Sequence, residues 1–222
     1  MSLSKVIEVA RGELGQNENP AGSNLVKYWD AYDPKMQGQP WCCSFLWWVF
    51  QHAGERMAFF GGGKTASCSI LLRWYKEQGL TVPVEDVQVG DIALYNFHNE
   101  SSPEHCGLVT EVSNLPDRLI SVWSIEGNTT SPNGAYSNQS NGGCVAERKR
   151  FPYQIVAVCR PQYQPEESAT VDDITGHWAE KAIRRCIERG LLKGYPDGSF
   201  KPDQPVTRAE LAAVLKRMEE SK

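Results

Sequence analysis

The segment of this chain that most clearly indicates its fold is Pro40-Trp41-Cys42-Cys43-Ser44-Phe45-Leu46-Trp47-Trp48-Val49-Phe50-Gln51-His52-Ala53. Its apolar residues fall on every side of a helix, and Gly54 is a suitable terminator, so residues 41–53 are predicted to form a helix in the middle of a domain. A thiolate, not a thiol, attacks a carbonyl carbon, and a helix N-terminus lowers a cysteine pKa. A cysteine in the first turn of this helix is therefore a candidate nucleophile.

Cys42 and Cys43 both lie in that first turn, and adjacent helical residues face about 100° apart. Because the helix is apolar all round, its periodicity does not choose between them. The alternative interpretation is that both are core thiols. The chain has seven cysteines, an odd number without the paired spacing of zinc ligands. Most of them are interpreted as small buried hydrophobes.

Length and charge limit the class of protein. The 222 residues allow one sizeable core, or one domain plus a small second one. The net charge of −4 does not indicate binding to nucleic acid or to an anionic membrane. The basic run 148–150 is interpreted as a solvated edge. No apolar run approaches the roughly 18 to 20 residues that span a bilayer. The N-terminus lacks an apolar signal core, so synthesis in the cytoplasm is expected.

Helical patterns come first along the chain, and strand patterns follow. Helical spacing is predicted for residues 3–14, 25–32, 41–53 and 67–78. Strand-like runs are predicted for residues 90–97, 105–112, 119–126, 143–149 and 154–160. This order is typical of an α+β domain with N-terminal helices and an antiparallel sheet.

The C-terminal part follows a polar, proline-containing linker. We place the first domain at residues 1–162, the linker at 163–170 and a small helical module at 171–222. The module is predicted to hold two helices, 178–189 and 208–219, the second with a capping box made by Thr207 and Glu210. Two helices bury little surface, so the module is expected to lean on a neighbour or on copies of itself.

His105, Glu126 and Asn128 complete the candidate chemistry. His105 opens a predicted strand after a turn, a suitable place for a general base. In an extended segment, residues i and i+2 share a face, so both Glu126 and Asn128 are expected to converge on the imidazole. One of them can accept from the ring N–H and hold its tautomer.

These residues carry a resemblance to the CHAP domain, the cysteine, histidine-dependent amidohydrolase/peptidase family, over about residues 1–160. The resemblance implies a papain-like (NlpC/P60-like) fold that cleaves amide bonds of peptidoglycan, with no metal needed for chemistry and no cofactor. It makes Cys42 the nucleophile, His105 the base, and Glu126 or Asn128 the orienting residue. The motifs are Gly38-Gln39-Pro40-Trp41-Cys42, Gly90-Asp91-Ile92-Ala93, Glu104-His105-Cys106-Gly107-Leu108-Val109 and Ile125-Glu126-Gly127-Asn128.

The tail resembles one S-layer homology (SLH) repeat, a module that anchors proteins to acidic cell-wall polymers. The resemblance implies that Lys201 and Arg208 pair with carboxylates, and that Trp178 either stacks on a sugar or fills the core, with the core interpretation preferred. Such repeats usually come in threes, so chains are expected to associate through the single one. The motifs are Asp173-Ile174-Thr175-Gly176-His177-Trp178-Ala179, Gly194-Tyr195-Pro196-Asp197-Gly198-Ser199-Phe200-Lys201-Pro202 and Thr207-Arg208-Ala209-Glu210.

Together the resemblances imply a peptidoglycan hydrolase, similar to a phage or prophage endolysin, that acts on the wall after release. Its expected partners are peptidoglycan and an acidic wall polymer, with no nucleic acid and no membrane insertion. Two alternatives stay open: an acyl transferase of the same fold, and a non-catalytic wall-binding protein.

Overall fold

The structure is a computed structural model that describes residues 3–114, 120–130, 141–163, 172–195 and 198–220. The chain divides into two compact units, Met1–Pro165 and Glu166–Lys222. Residues 164–170 of the predicted linker lie outside the described residues. Within the described ranges, every helix is too short or too polar to cross a membrane.

The first unit begins with helices, as its apolar periodicity predicts. Ser67 caps the fifth helix by accepting a hydrogen bond from Ile70 N at 3.3 Å. Gly54 follows the third helix with a φ of 76°, a conformation that glycine adopts without strain. The sequence patterns did not predict the short fourth helix. Over the described residues of this unit, the α-helices are α1 Leu3–Gly12, α2 Lys27–Tyr32, α3 Cys42–His52, α4 Arg56–Phe60 and α5 Cys68–Glu77.

A six-stranded antiparallel sheet follows the helices, with the order β1-β6-β2-β3-β4-β5. The first strand, at the edge, is two residues long and was not predicted from the sequence. Helices followed by this sheet confirm the predicted α+β class. The strands are β1 Thr81–Val82, β2 Ile92–Tyr95, β3 His105–Asn114, β4 Ile120–Thr129, β5 Cys144–Arg150 and β6 Ile155–Cys159.

Helix α3 lies in the middle of the first unit, as its all-round apolar sequence predicts. It contacts the helices α1, α2 and α4 and the strands β3 and β4. Gly127 allows β4 to approach the helix closely, because a Cβ atom there would lie 2.5 Å from Cβ of Phe45. The start of α3 is thereby fixed against the sheet.

Alternate residues of the sheet enter two apolar clusters. Ile92 and Leu94 of β2 pack with the helices, whereas Ala93 and Tyr95 join a second cluster on the other face. Tyr95 pairs directly with His105, the first residue of β3. The strand that carries the candidate base is therefore anchored through its neighbour.

In the second unit, the described residues form a 3₁₀ turn, Asp172–Ile174, and the helices α6 Glu180–Glu188 and α7 Arg208–Glu220. Thr207 and Glu210 form the predicted capping box: Thr207 Oγ1 accepts from Glu210 N at 3.2 Å, and Glu210 Oε2 accepts from Thr207 N at 2.7 Å. Residues 196–197, within the quoted motif that starts at Gly194, lie outside the described residues.

Candidate active site

Cys42 is the first residue of α3, and Trp41 is its N-cap. The indole nitrogen of Trp41 donates to Glu18 Oε1 at 2.9 Å, and its ring stacks on Tyr28 with centroids 5.3 Å apart. These buried contacts hold the start of the helix in one position. The first backbone N–H groups of a helix have no partner within the helix, so they favour negative charge at this end.

His105 and Glu126 form a fully buried pair. Nε2 of His105 lies 3.0 Å from Oε2 of Glu126. The other ring nitrogen, Nδ1, is buried and has no hydrogen-bond partner in the described part of the chain. Burial alone lowers the pKa of His105, but the neighbouring Cys42 thiol and the Glu126 carboxylate outweigh it and raise this pKa to about 9. Because Glu126 occupies Nε2, Nδ1 is the nitrogen left for Cys42.

Glu126 is held as a carboxylate by its surroundings. Its Oε1 accepts hydrogen bonds from Ser124 Oγ and Arg150 Nε, both at 2.8 Å, and its Oε2 accepts from Arg150 Nη2. Burial raises the pKa of Glu126, but Arg150 and His105 lower it more, to about 2. A charged carboxylate on Nε2 keeps that nitrogen protonated, so the proton that His105 gains or loses is the one on Nδ1.

Arg150 is a site residue that was not predicted from the sequence. The interpretation of residues 148–150 as a solvated edge is wrong for this residue, since Arg150 is buried and bonds both oxygens of Glu126. Its guanidinium also lies 4.6 Å from the ring centroid of Phe97. The sheet register explains this position, because Arg150 lies on the same face of β5 as Ala146, which pairs with Glu126.

Gly107 leaves room for the contact between Glu126 and His105. Leu108 pairs with Ile125, so the register places Gly107 opposite Glu126. A Cβ atom on Gly107 would lie 2.7 Å from Cγ of Glu126 and 2.9 Å from Oγ of Ser124. The missing side chain lets the carboxylate reach diagonally across the two strands to the imidazole.

The structure does not bring Asn128 to the imidazole, contrary to the expectation that it shares a face with Glu126. Asn128 has a φ of 59°, and the pairing of β4 with β5 shifts register between Glu126 and Thr129. This left-handed residue breaks the alternation of an extended strand. The side-chain amide of Asn128 instead donates to Asn141 at 2.8 Å and accepts from Gly143 N at 3.2 Å.

The two adjacent thiols differ in their surroundings. Cys42 retains 5% of its surface and affects the pKa of His105, whereas Cys43 is completely buried. The Cys106 thiol lowers the pKa of Cys42, but the Cys68 thiol and burial outweigh it and raise that pKa. Cys106, followed by Cys68, lowers the pKa of Cys43 to about 6. The electrostatic coupling of Cys42 to His105 therefore favours Cys42 as the nucleophile, whereas the thiol pKa alone favours Cys43.

The predicted wall-binding residues occupy separate places in the second unit. Trp178 is 90% exposed, so the preferred interpretation of it as a core residue is wrong. The ammonium of Lys201 lies 4.5 Å from the ring centroid of Tyr195, and both residues line a cavity of about 530 Å³. Arg208 is the exposed first residue of α7. Neither Trp178 nor Arg208 lines that cavity.

Two protein families match this chain. The CHAP domain matches residues 34–128, a range that includes Cys42, His105, Glu126 and Asn128. The S-layer homology domain matches residues 172–212. Residues 34–128 thus match the cysteine- and histidine-dependent amidohydrolase/peptidase class. The S-layer homology match follows this match along the chain.

Curated relatives share short segments with this chain. Cell surface glycoprotein 1 of Acetivibrio thermocellus is 48% identical over 54 residues, 24% of this chain and 2% of that protein. The cellulosome-anchoring protein of the same organism is 47% identical over 45 residues, 20% of this chain and 10% of that protein. Outer membrane protein SlpA of Deinococcus radiodurans is 43% identical over 58 residues, 26% of this chain and 5% of that protein.

The matched segment therefore spans a tenth or less of these relatives. No solved structure matches the chain.

Proposed function

We propose that this protein is a peptidoglycan hydrolase that cleaves an amide or peptide bond with Cys42 as nucleophile. The observation that carries the proposal is the buried chain of contacts from Arg150 through Glu126 to His105, which ends beside a thiol at a helix start. All of these residues except Arg150 lie within the CHAP match. Each group has a chemical role at that position.

In the first half of the reaction, Nδ1 of His105 takes the proton of the Cys42 thiol, and the sulfur attacks the carbonyl carbon. Backbone N–H groups at the start of α3 stabilise the negative charge on the carbonyl oxygen. The protonated imidazole then donates its proton to the leaving amine, and a thioester remains on Cys42. In the second half, His105 removes a proton from water, and the resulting hydroxide hydrolyses the thioester.

Glu126 and Arg150 do not touch the substrate in this mechanism. Glu126 holds Nε2 of His105, so the ring keeps the tautomer and orientation that present Nδ1 to the sulfur. Arg150 keeps Glu126 ionised and immobile through two hydrogen bonds. Both are positioning residues. Asn128 supports the bend after Glu126 through its bonds to Asn141 and Gly143.

The second unit is proposed to hold the enzyme on an acidic polymer of the cell wall. Its relatives include proteins named as a cell surface glycoprotein and a cellulosome-anchoring protein. Exposed Trp178 offers a ring face to a sugar, while Lys201 and Arg208 offer positive charge to carboxylates. Exposed apolar residues of α7, Leu211, Leu215 and Met218, favour association of this module with further copies of itself. The endolysin-like role and action on the wall after release stay predictions from the sequence.

Loss of turbidity of purified Gram-positive cell walls tests the enzymatic proposal. We expect Cys42→Ala to lower the lysis rate by about 1,000-fold or more, because the nucleophile is lost. Cys43→Ala is the matched control, a neighbouring thiol without a role in the mechanism. Full lysis by Cys42→Ala would contradict the proposal, and loss of lysis in Cys43→Ala alone would move the nucleophile by one residue. Mass spectrometry of the released fragments identifies the bond.

A further inference from the structure

Three thiols meet at the candidate nucleophile, and the mechanism uses only one of them. Cys42 is the first residue of α3, Cys68 is the first residue of α5, and Cys106 is the second residue of β3. All three are buried and free. Their sulfur atoms lie within 4.8 Å of one another. Three separate elements of the fold thus place three soft ligand atoms around one point.

The spacing fits a metal ion better than a disulfide. The sulfurs of Cys42 and Cys68 are 3.9 Å apart. A disulfide needs about 2 Å, so these two cysteines are not bonded. In a tetrahedral zinc site with Zn–S bonds of about 2.3 Å, two sulfur ligands are about 3.8 Å apart. The observed separation is close to that edge length.

The fourth position of such a site is left to solvent. The group of mutually close ligand atoms in the described part of the chain consists of the three sulfurs, without His105. Three protein ligands and a water molecule form a common tetrahedral zinc arrangement. Cys42 and Cys68 retain 5% and 6% of their surface, so an ion can reach the cluster from that side.

We propose that Cys42, Cys68 and Cys106, with a water molecule in the fourth position, bind one Zn²⁺ ion, and that this ion holds the enzyme in a reversible inactive form. Binding releases the thiol protons to solvent. A metal-bound Cys42 thiolate has its lone pair engaged and does not attack a carbonyl carbon. The inhibitory consequence rests on the proposed function above, whereas the binding site does not.

Titration of the full-length, reduced protein with Co²⁺ tests the binding site alone. We expect one equivalent to produce the intense visible bands of tetrahedral thiolate-bound Co²⁺, and one equivalent of Zn²⁺ to remove them. Cys68→Ser and Cys106→Ser should each lower metal affinity by about 10- to 100-fold. Cys186→Ser is the control, since it removes a free thiol in the second unit. Absence of these bands in the wild type would overturn the site, whatever the protein does to cell walls.

Wall lysis with added Zn²⁺, and then with added chelator, tests the inhibition. Each protein is compared with itself, so differences in basal rate between variants do not matter. We expect Zn²⁺ to lower the wild-type rate by about tenfold or more, the chelator to restore it, and Cys106→Ser to respond far less. Recovery with a thiol reductant but not with a chelator would indicate a Cys42–Cys68 disulfide and overturn the proposal. Circular dichroism checks that each variant is folded.

Discussion

The two units of this protein place their chemical groups in opposite ways. The first unit buries the charged residues Glu126 and Arg150 together with His105. In the second unit, the described residues include a small buried pair, Ile174 and Ile183, while Trp178 lies on the surface. One unit keeps its functional groups out of water, and the other presents them to it.

This difference follows from what each unit is proposed to do. A nucleophile and its base need fixed geometry and a low dielectric, where electrostatic interactions are stronger than in water. A buried ion pair satisfies that need only when every partner is in place. A module that adheres to a polymer needs accessible rings and charges instead. Equivalent substitutions are therefore expected to have unequal effects on stability and activity in the two units.

The largest expected effect is that of Glu126→Gln. The change leaves Arg150 as a buried charge without its carboxylate, so the free energy of unfolding of the first unit should fall by about 3 to 5 kcal/mol. Native-state hydrogen exchange at the amides of β3 and β4 measures it. Glu180→Gln is the matched control: Glu180 pairs with Arg184 at 2.9 Å on the surface of the second unit. No measurable change is expected there. Equal losses in the free energy of unfolding for both variants would contradict the predicted difference between the two units.

The pH dependence of wild-type unfolding gives a second measure of the same pair. Because the pKa of Glu126 falls from 4.5 to about 2 on folding, its contribution is complete above pH 4.5 and is lost as the pH falls through 2. The pKa of His105 rises from 6.5 to about 9, so its contribution is complete below pH 6.5 and is lost as the pH rises through 9. The Glu126→Gln variant should show a flatter profile on both sides.

Gly107→Ala should have the next largest effect. The new methyl group would meet Glu126 and Ser124 at less than 3.0 Å, which forces the carboxylate away from His105. We expect a loss of about 1 to 3 kcal/mol in the free energy of unfolding and about a hundredfold in the rate of wall lysis. Gly12→Ala is the control, since no atom lies within 4 Å of a Cβ atom there. Full lysis by Gly107→Ala would show that the close approach at Gly107 is not needed.

Much of this arrangement could be predicted from the sequence. The apolar helix after Trp41 and the strands that start at His105 and contain Glu126 follow from local periodicity. The contact of His105 with Glu126 needs only two neighbouring strands. Local patterns are enough to predict these site residues because each of them lies on a regular helix or strand, close to the point where that helix or strand begins or bends.

Other parts of the site depend on tertiary contacts that local patterns do not contain. Arg150 resembles an exposed basic residue until β5 pairs with β4 and places it against Glu126. Cys68 and Cys106 are far from Cys42 in sequence, so no ligand spacing predicted their cluster. Asn128 leaves the predicted face because a positive φ breaks the period of two. In each case the sheet register or the packing of helices on the sheet decides the outcome.

The smallest effect on folding is expected from Trp178→Ala, a variant that tests wall binding by the second unit. Because this ring is 90% exposed, its removal should leave unfolding unchanged, whereas binding to purified walls should fall by about tenfold, equivalent to about 1.4 kcal/mol. Co-sedimentation with walls measures binding, in a Cys42→Ala background that prevents lysis. Tyr153→Ala is the control, since Tyr153 is a 78% exposed aromatic residue of the first unit. Unfolding of the second unit in Trp178→Ala would instead show that the ring supports the fold. Trp178 would then not be an exposed binding group, and the proposed difference between the two units would not hold for this residue.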